Sequence, residues 1–410
     1  MKLSPKKLAL LTSLYFVQGM PFGFQATALP VYLRTQGISV TALGFLQLLS
    51  LPWIFKALWA PLVDRYGSVR IGRRKSWILP LQLALAATCV AASAVPIPSA
   101  LPVLLGLIFL MNLFAATQDI AVDGFAADSL RPEELGLGNT AQVVGYKLGM
   151  ITAGGLLLWA SDYIGWQGLF LCMAALCLVV SGVTAFARES VPQERSSERT
   201  SWHEVLGHIK EALLLPGTGW LLLFIATYKF GETISDVLYK LFLVDAGIRP
   251  AQIGLWVGTW GTAASILGSL TGGLLATRMP MLGALTVTAT LRIFPLVGRW
   301  WLAKMGVSDG AVIGITLAEE FFGGSLTTVM FAFMMSRVDR RISATHYTLL
   351  ASVEVLGKSP GGPLGGMLVG KAHWSYAQAF LLGVALSVAF LFLIPLLRRR
   401  GASPAPQPTS

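Results

Sequence analysis

Apolar runs of about twenty residues, following one another from Leu8 to Leu397, constrain this chain more than any other feature of its sequence. A run of that length crosses bilayer hydrocarbon as a helix, because each helical residue advances about 1.5 Å. Twelve such runs can be drawn, at 8–33, 40–62, 76–95, 101–127, 139–160, 166–186, 217–243, 251–275, 281–303, 309–336, 343–369 and 375–397. Joints rich in Pro, Gly and charge separate them, as in VPIPSALP, SDYIGW and DAGIRPAQ. Composition agrees: 54% of residues are hydrophobic and 12% charged, whereas a soluble domain carries about a quarter charged residues. The expectation is an all-α membrane protein of twelve transmembrane helices, with the lipid bilayer as its solvent.

The opening MKLSPKKLALLTSLYFV places lysines before an apolar run, as a signal peptide does. No small-x-small cleavage site closes that run, and hydrophobicity continues to Leu33, so it reads as the first span. Cys89, Cys172 and Cys177 all lie in apolar runs and suggest neither a disulfide framework nor a metal site. A net charge of +11 would point to nucleic acid in a soluble protein. Here the distribution of the basic residues accounts for it. With the N-terminus in the cytoplasm, 20 of the 31 Lys and Arg residues fall in cytoplasmic segments and only Arg34, Arg249, Lys304 and Lys371 in outer ones. That asymmetry follows the positive-inside rule, places both termini inside, and leaves no need for a nucleic-acid partner.

The longest polar interruption, 188–201, follows the sixth span. It divides the chain into an N-terminal six-helix bundle (1–187), a cytoplasmic linker (188–215), a C-terminal six-helix bundle (216–397) and a tail (398–410). Within the linker, Trp202, Val205, Leu206, Ile209 and Leu213 share one helical face, which suits either a helix lying on the membrane surface or an ordinary linker helix. The two halves echo each other: QGISVTALG after the first span and AGIRPAQIG after the seventh match at Gly37/Gly247, Ile38/Ile248 and Gly44/Gly254. Such a repeat marks transporters built from two pseudo-symmetric halves.

Between spans 2 and 3 the chain reads WAPLVDRYGSVRIGRRKSW. Asp64-Arg65 and Arg73-Arg74 resemble the D-R-x-G-R-R loop of the major facilitator superfamily, with residues 68–72 intervening between Gly67 and the arginine pair. The segments ATQDIAVDG, LYFVQGMPFGFQ, TYKFGE and LGLGNTAQVVGYKLG are similar to the acetyl-coenzyme A transporters and AmpG-type muropeptide permeases of that superfamily. GNTAQVVGYKLG and ATHYTLLASVEVLGK resemble most its orphan branch, the major facilitator superfamily domain-containing protein 3 group. The resemblance implies a monomeric secondary transporter working by alternating access. Asp64, Arg65, Arg73 and Arg74 would then act in a gating charge relay, and spans 1, 4, 7 and 10 would line a central cavity.

A charge at bilayer centre costs at least about 2.5–3.5 kcal/mol, so each intramembrane charge should face a partner or a cavity. Asp119 and Asp123 stand one helical turn apart with no basic residue near them on their own span. Like charge and burial both disfavour the ionised form, so these carboxylates suit proton coupling or gating. The alternative is a helix–helix salt bridge to Lys147 or Lys56. Asp123, nearer the cytoplasmic end, suits a gating contact. On span 7, Lys229, Glu232, Asp236 and Lys240 share a face and can form a ladder of internal pairs, as Glu354 and Lys358 can on span 11.

Carried onto the cavity-lining spans, the resemblance selects Gln18, Gln25, Gln118, Asp119, Lys229 and Glu232 as substrate or coupling residues, with Glu319 or, as the preferred one, Glu320. Lys147 joins them as a possible partner of Asp119. Lys229 and Arg292 are the expected anchors of an anionic substrate, while Arg299 lies close enough to a span end to snorkel.

No Walker motif, H-E-x-x-H or G-x-S-x-G is present, and the four histidines form no metal spacing, so neither an ATPase nor an intramembrane enzyme is indicated. The reading is a non-enzymatic, cofactor-free carrier, proton-coupled, for an anionic organic solute such as acetyl-coenzyme A or a muropeptide. It would sit in the cell membrane, the inner one in a bacterium. A transport-inactive receptor or scaffold with the same fold is the alternative.

Overall fold

The structure, a computed structural model, describes residues 4–68, 70–97, 99–130, 135–187, 218–337 and 343–400. Among them all regular structure is helical. α1 (Pro5–Gly23) passes through a π-helical stretch, Phe24–Ala28, into α2 (Leu29–Thr35). The second span is not one rod. It is built from α3 (Val40–Gly44), α4 (Leu51–Phe55) and α5 (Ala60–Arg65), with 3-10 turns at Phe45–Ser50 and Lys56–Leu58. α6 (Lys75–Ser93) and α7 (Leu101–Ser129) are continuous, and α8 (Leu135–Met150) runs through a second π stretch, Ile151–Leu156, into α9 (Leu157–Phe186). Gly165 splits α9 between spans 5 and 6: its φ of 69° and ψ of 174° are open only to glycine.

The second half begins with α10 (Thr218–Thr227) and α11 (Phe230–Asp245), so span 7 is interrupted at Tyr228 and Lys229. Then follow α12 (Pro250–Ile253), a third π stretch (Gly254–Gly261), α13 (Thr262–Arg278), α14 (Met281–Met305) and α15 (Asp309–Ser336). α16 (Ser343–Lys358), α17 (Gly361–Gly370) and α18 (Tyr376–Arg400) close the chain. The linker 188–215, with its amphipathic pattern, lies outside the described residues.

By length and composition alone, six described helices are apolar enough to cross a membrane, among them Lys75–Ser93, Leu101–Ala126 and Met281–Met305. The spans that fall short are 1, 2, 7, 10 and 11, and for the last four the physical reason is local. Span 2 is broken by 3-10 turns, spans 7 and 11 are interrupted beside charged residues, and span 10 carries Glu319 and Glu320.

The echo between the halves is also a conformational one. Gly37 and Gly247 both adopt positive φ, 80° and 85°. Ile38 N–H bonds to the Leu33 carbonyl at 3.1 Å, and Ile248 N–H to the Leu243 carbonyl at 3.0 Å. Gly37 N–H to Arg34 and Gly247 N–H to Val244 complete both caps, each at 3.0 Å. Both helices therefore end in a Schellman cap whose left-handed residue must be glycine.

The chain packs as two compact units. The first comprises Met1–Ile38, Leu46–Arg195 and Leu243–Thr262; the second, Ser39–Phe45, Ser196–Phe242 and Ala263–Ser410. In the first, Leu11, Leu14, Tyr15, Val63, Ile78 and Val122 form a core. Lipid tails are as apolar as leucine, so helix association there relies on close approach. α8 accordingly presents Gly145 and Gly149 to α1, where an added Cβ would overlap the carbonyls of Thr12 and Phe16. In the second unit Phe224 packs with Phe333 and Phe390, at ring centroid distances of 5.7 and 4.7 Å. Leu58, Phe186, Phe294 and Phe392 are exposed, as lipid-facing side chains should be.

Candidate functional site

In the first unit, polar side chains are stacked along the face that α1 and α7 share. Gln25, in the first π stretch, is fully engaged: its amide donates to the Leu46 carbonyl at 3.1 Å and to Ser50 Oγ at 2.8 Å, and its oxygen accepts from Asn112 at 2.6 Å. Asn112 in turn accepts from Trp53 Nε1 at 3.0 Å. One turn and more further along α7, Lys56 donates to Asp119 from the 3-10 break of span 2. The Asp119 carboxylate is nearly buried and the Lys56 side chain is a third exposed (10% and 33%). Lys56 is one of the two bases that the sequence offers Asp119, and the two side chains meet. Lys147, on α8, is half-buried.

Asp123 accepts from Tyr15 OH at 2.8 Å and from Gln142 at 3.4 Å, and it is exposed. The next residue, Gly124, has no side chain because the Arg74 guanidinium lies against it. The buried Arg74 of the basic loop thus sits on α7 beside Asp123, while Arg73 is exposed. The side chains of Asp64, Arg65 and Asp128 lie outside the described ones. Gln18 and Gln118 are fully buried with both amide ends unpartnered.

The second unit holds a continuous chain of alternating charges that starts in the interruption before α11 and runs over α11, α14 and α15. Lys229 Nζ lies 3.9 Å from Glu232, and Glu232 Oε1 is 2.8 Å from Arg292 Nη2. The same Nη2 also binds Glu319, whose other oxygen is 2.7 Å from Arg299, and Arg299 reaches Asp236. Three cations and three anions alternate, which is what makes burial of each tolerable. Arg299 also lies 4.5 Å over the ring of Tyr239, whose hydroxyl shares a 3.0 Å hydrogen bond with Thr316. Carboxylate oxygens of Glu232, Asp236 and Glu319 lie within 4.8 Å of one another, a spacing that suits a cation. The two guanidinium groups already fill that role. Gly323 on α15 makes the room: a Cβ there would overlap Arg292.

Several sequence expectations change here. Arg299 does not snorkel; its side chain is 3% exposed and central to the network. Asp236 pairs with Arg299 rather than only along its own helix, and Glu319, not Glu320, joins the buried chain, with Glu320 half-buried. Lys240 is half-buried on α11. Glu354 and Lys358 do meet, at 2.9 Å, and Tyr228 OH adds a third hydrogen bond at 3.1 Å. Tyr15, Asn112 and Tyr228 escaped the sequence reading because polar tyrosines and asparagines inside apolar runs carry no charge to flag them. Gly124 and Gly323 escaped because their role depends on an arginine from another helix.

Ion pairs and amides buried inside two units of apolar helices are the kind of interior that membrane transporters have. The sequence profile of the Major Facilitator Superfamily matches residues 11–318, and the chain belongs to that superfamily. Its fold is the twelve-helix one of that superfamily. The anhydromuropeptide permease of Escherichia coli (strain K12) is 30% identical over 399 residues, covering 95% of this chain and 79% of the permease. An uncharacterized protein of Haemophilus influenzae is 29% identical over 385 residues, covering 91% of this chain and 90% of that one. Among solved structures, a bacterial homologue of the human lysosomal transporter Spinster, inward-facing and unoccupied, superimposes with a TM-score of 0.76 at 16% identity, covering 99% and 100% of the two chains. The nucleoside transporter NupG does so with a TM-score of 0.72 at 15% identity, covering 96% and 99%.

Proposed function

We propose that the protein is a proton-driven secondary transporter that carries a carboxylate-bearing organic solute of the muropeptide class by alternating access. In a bacterial inner membrane, with both termini in the cytoplasm, the solute and the proton would move together. The observation that carries the coupling is the Lys56–Asp119 pair. A proton arriving on Asp119 removes the negative charge that holds Lys56, so protonation and a change of helix contacts become one event. The Lys56 side chain is a third exposed, so the pair is not enclosed by protein as a wholly buried structural salt bridge is. The solute class follows from the similarity to the anhydromuropeptide permease along most of both chains, and from the arginines available to a carboxylate.

Uptake by proteoliposomes under an imposed inward proton gradient tests this. An anhydromuropeptide should accumulate only with the gradient, and Asp119→Asn should lose at least about tenfold of the gradient-driven rate, the scale of one charge-assisted contact. Accumulation that ignores the gradient would remove proton coupling. Uptake of acetyl-coenzyme A without uptake of the anhydromuropeptide would reassign the solute.

A further inference from the structure

The Arg292 guanidinium is used unevenly. One nitrogen, Nη2, serves both Glu232 and Glu319, and Nη1 makes only a 3.3 Å contact with the Glu319 main-chain carbonyl. The Nε–H has no hydrogen-bond partner although Arg292 is 4% exposed. Glu232 is held just as loosely: Oε1 meets Arg292 at 2.8 Å, and Oε2, equally buried, has no partner. A buried charged group normally spends all its hydrogen-bonding positions, so this pair is incomplete on both sides.

A second cation stands ready for Glu232. Lys229 Nζ lies 3.9 Å from the same carboxylate, at the interruption of span 7, where α10 has ended and α11 has not begun. Its side chain is partly exposed (18%), whereas those of Glu232, Arg292 and Glu319 are buried; the chain also reaches the surface at its far end, Asp236, but Lys229 is the exposed member next to the Glu232–Arg292 contact. Interrupted membrane helices are where transporters place their binding sites.

We propose that Arg292 is the receptor for the solute carboxylate, and that Glu232 is a resident competitor occupying it in the empty protein. This rests on the transport reading above and names the site and group that the solute uses. An incoming carboxylate takes the Nε and Nη2 edge of Arg292 with two parallel hydrogen bonds, a geometry stronger than the single contact that Glu232 makes. Glu232 moves to Lys229, and Glu319 stays, keeping Arg292 tied to Arg299 and Asp236. No charge is left without a partner in either state, which lets the exchange take place inside the membrane.

Binding to the purified full-length protein in detergent, by isothermal titration, tests the exchange. The probes are an anhydromuropeptide with free peptide carboxylates and the same molecule with those carboxylates amidated. The wild type should prefer the free acid. Glu232→Gln keeps the shape and removes the competing charge, so it should bind the free acid about tenfold tighter and the amidated probe as before. Arg292→Lys should abolish the preference between the probes. A purely structural ion pair gives the opposite sign, because its loss loosens the fold and weakens binding. Glu232→Gln binding the free acid no tighter than wild type overturns the proposal. So does a wild type that binds the two probes equally, a result that needs no variant to fold and leaves the transport reading standing. A wild type that binds neither probe overturns the assigned solute class, and this inference with it.

Discussion

Where a buried arginine can lie is decided by a residue with no side chain. Gly323 stands against Arg292 and Gly124 against Arg74, and in both places a Cβ would overlap the guanidinium. Alanine is the better helix former by about 1 kcal/mol, so Gly→Ala in an exposed membrane helix should leave stability unchanged or raise it. Gly314, also on α15, has open space around its Cβ position and supplies the control. Gly314→Ala should hold or raise the thermal unfolding midpoint in detergent. Gly323→Ala should lower it, because displacing Arg292 strips both Glu232 and Glu319 of a partner, and breaking a buried pair costs about 3–5 kcal/mol. Equal midpoints for the two variants would mean that Arg292 swings aside freely. At this scale the sequence is legible for the charges and silent about their partners. Asp119 has two candidate bases at the right depth, and only the packing of span 2 brings Lys56 to it. Arg299, near the end of its span, reads as a snorkelling residue because the acids that bury it come from α11 and α15.

Hydropathy marks elements by their average over about twenty residues, so it finds spans and passes over the breaks inside them. Three of the missed breaks hold a lysine. Lys56 lies in the 3-10 turn of span 2, Lys229 in the interruption of span 7, and Lys358 at the end of α16, just before Ser359 and Pro360 separate it from α17. At Lys56 the break lets a long cationic side chain reach Asp119 on another helix, whereas Lys229–Glu232 and Lys358–Glu354 keep the spacings that a straight helix itself brings together. Turn chemistry was easier to read. SDYIGW announces a joint, and Gly165 supplies it with a backbone conformation that only glycine occupies at little cost. Gly165→Ala should destabilise the protein by roughly 1–3 kcal/mol, seen as a lower unfolding midpoint, although nothing lies within 4 Å of the Cβ position. Steric clash is therefore excluded in advance, and a neutral result would show that the joint between spans 5 and 6 relaxes into another backbone shape.

The whole molecule is the scale at which the sequence speaks most plainly, because twelve spans and their charge bias are summed over the entire chain. Even the pseudo-symmetry survives in atomic detail, as paired glycine caps after spans 1 and 7. Orientation, however, is a property of the bilayer and rests on the basic residues alone. Twenty Lys and Arg on one side against four on the other is a bias that insertion machinery rarely overrides. Two exposed positions, Ser68 in the basic loop and Ala246 beside the Gly247 cap, fall on opposite sides if that bias holds. In a background without Cys89, Cys172 and Cys177, a membrane-impermeant thiol reagent added to intact cells should label Ala246→Cys and spare Ser68→Cys until the membrane is opened. Both proteins must transport, so that labelling reports a working fold. The reverse pattern would put both termini outside, and the end that carries Asp123 and Arg74 would then face outward. On the proposed coupling, a proton reaching Asp119 through that end would then enter from the side now assigned to the cytoplasm. The same labelling therefore decides the direction in which a proton gradient drives the solute.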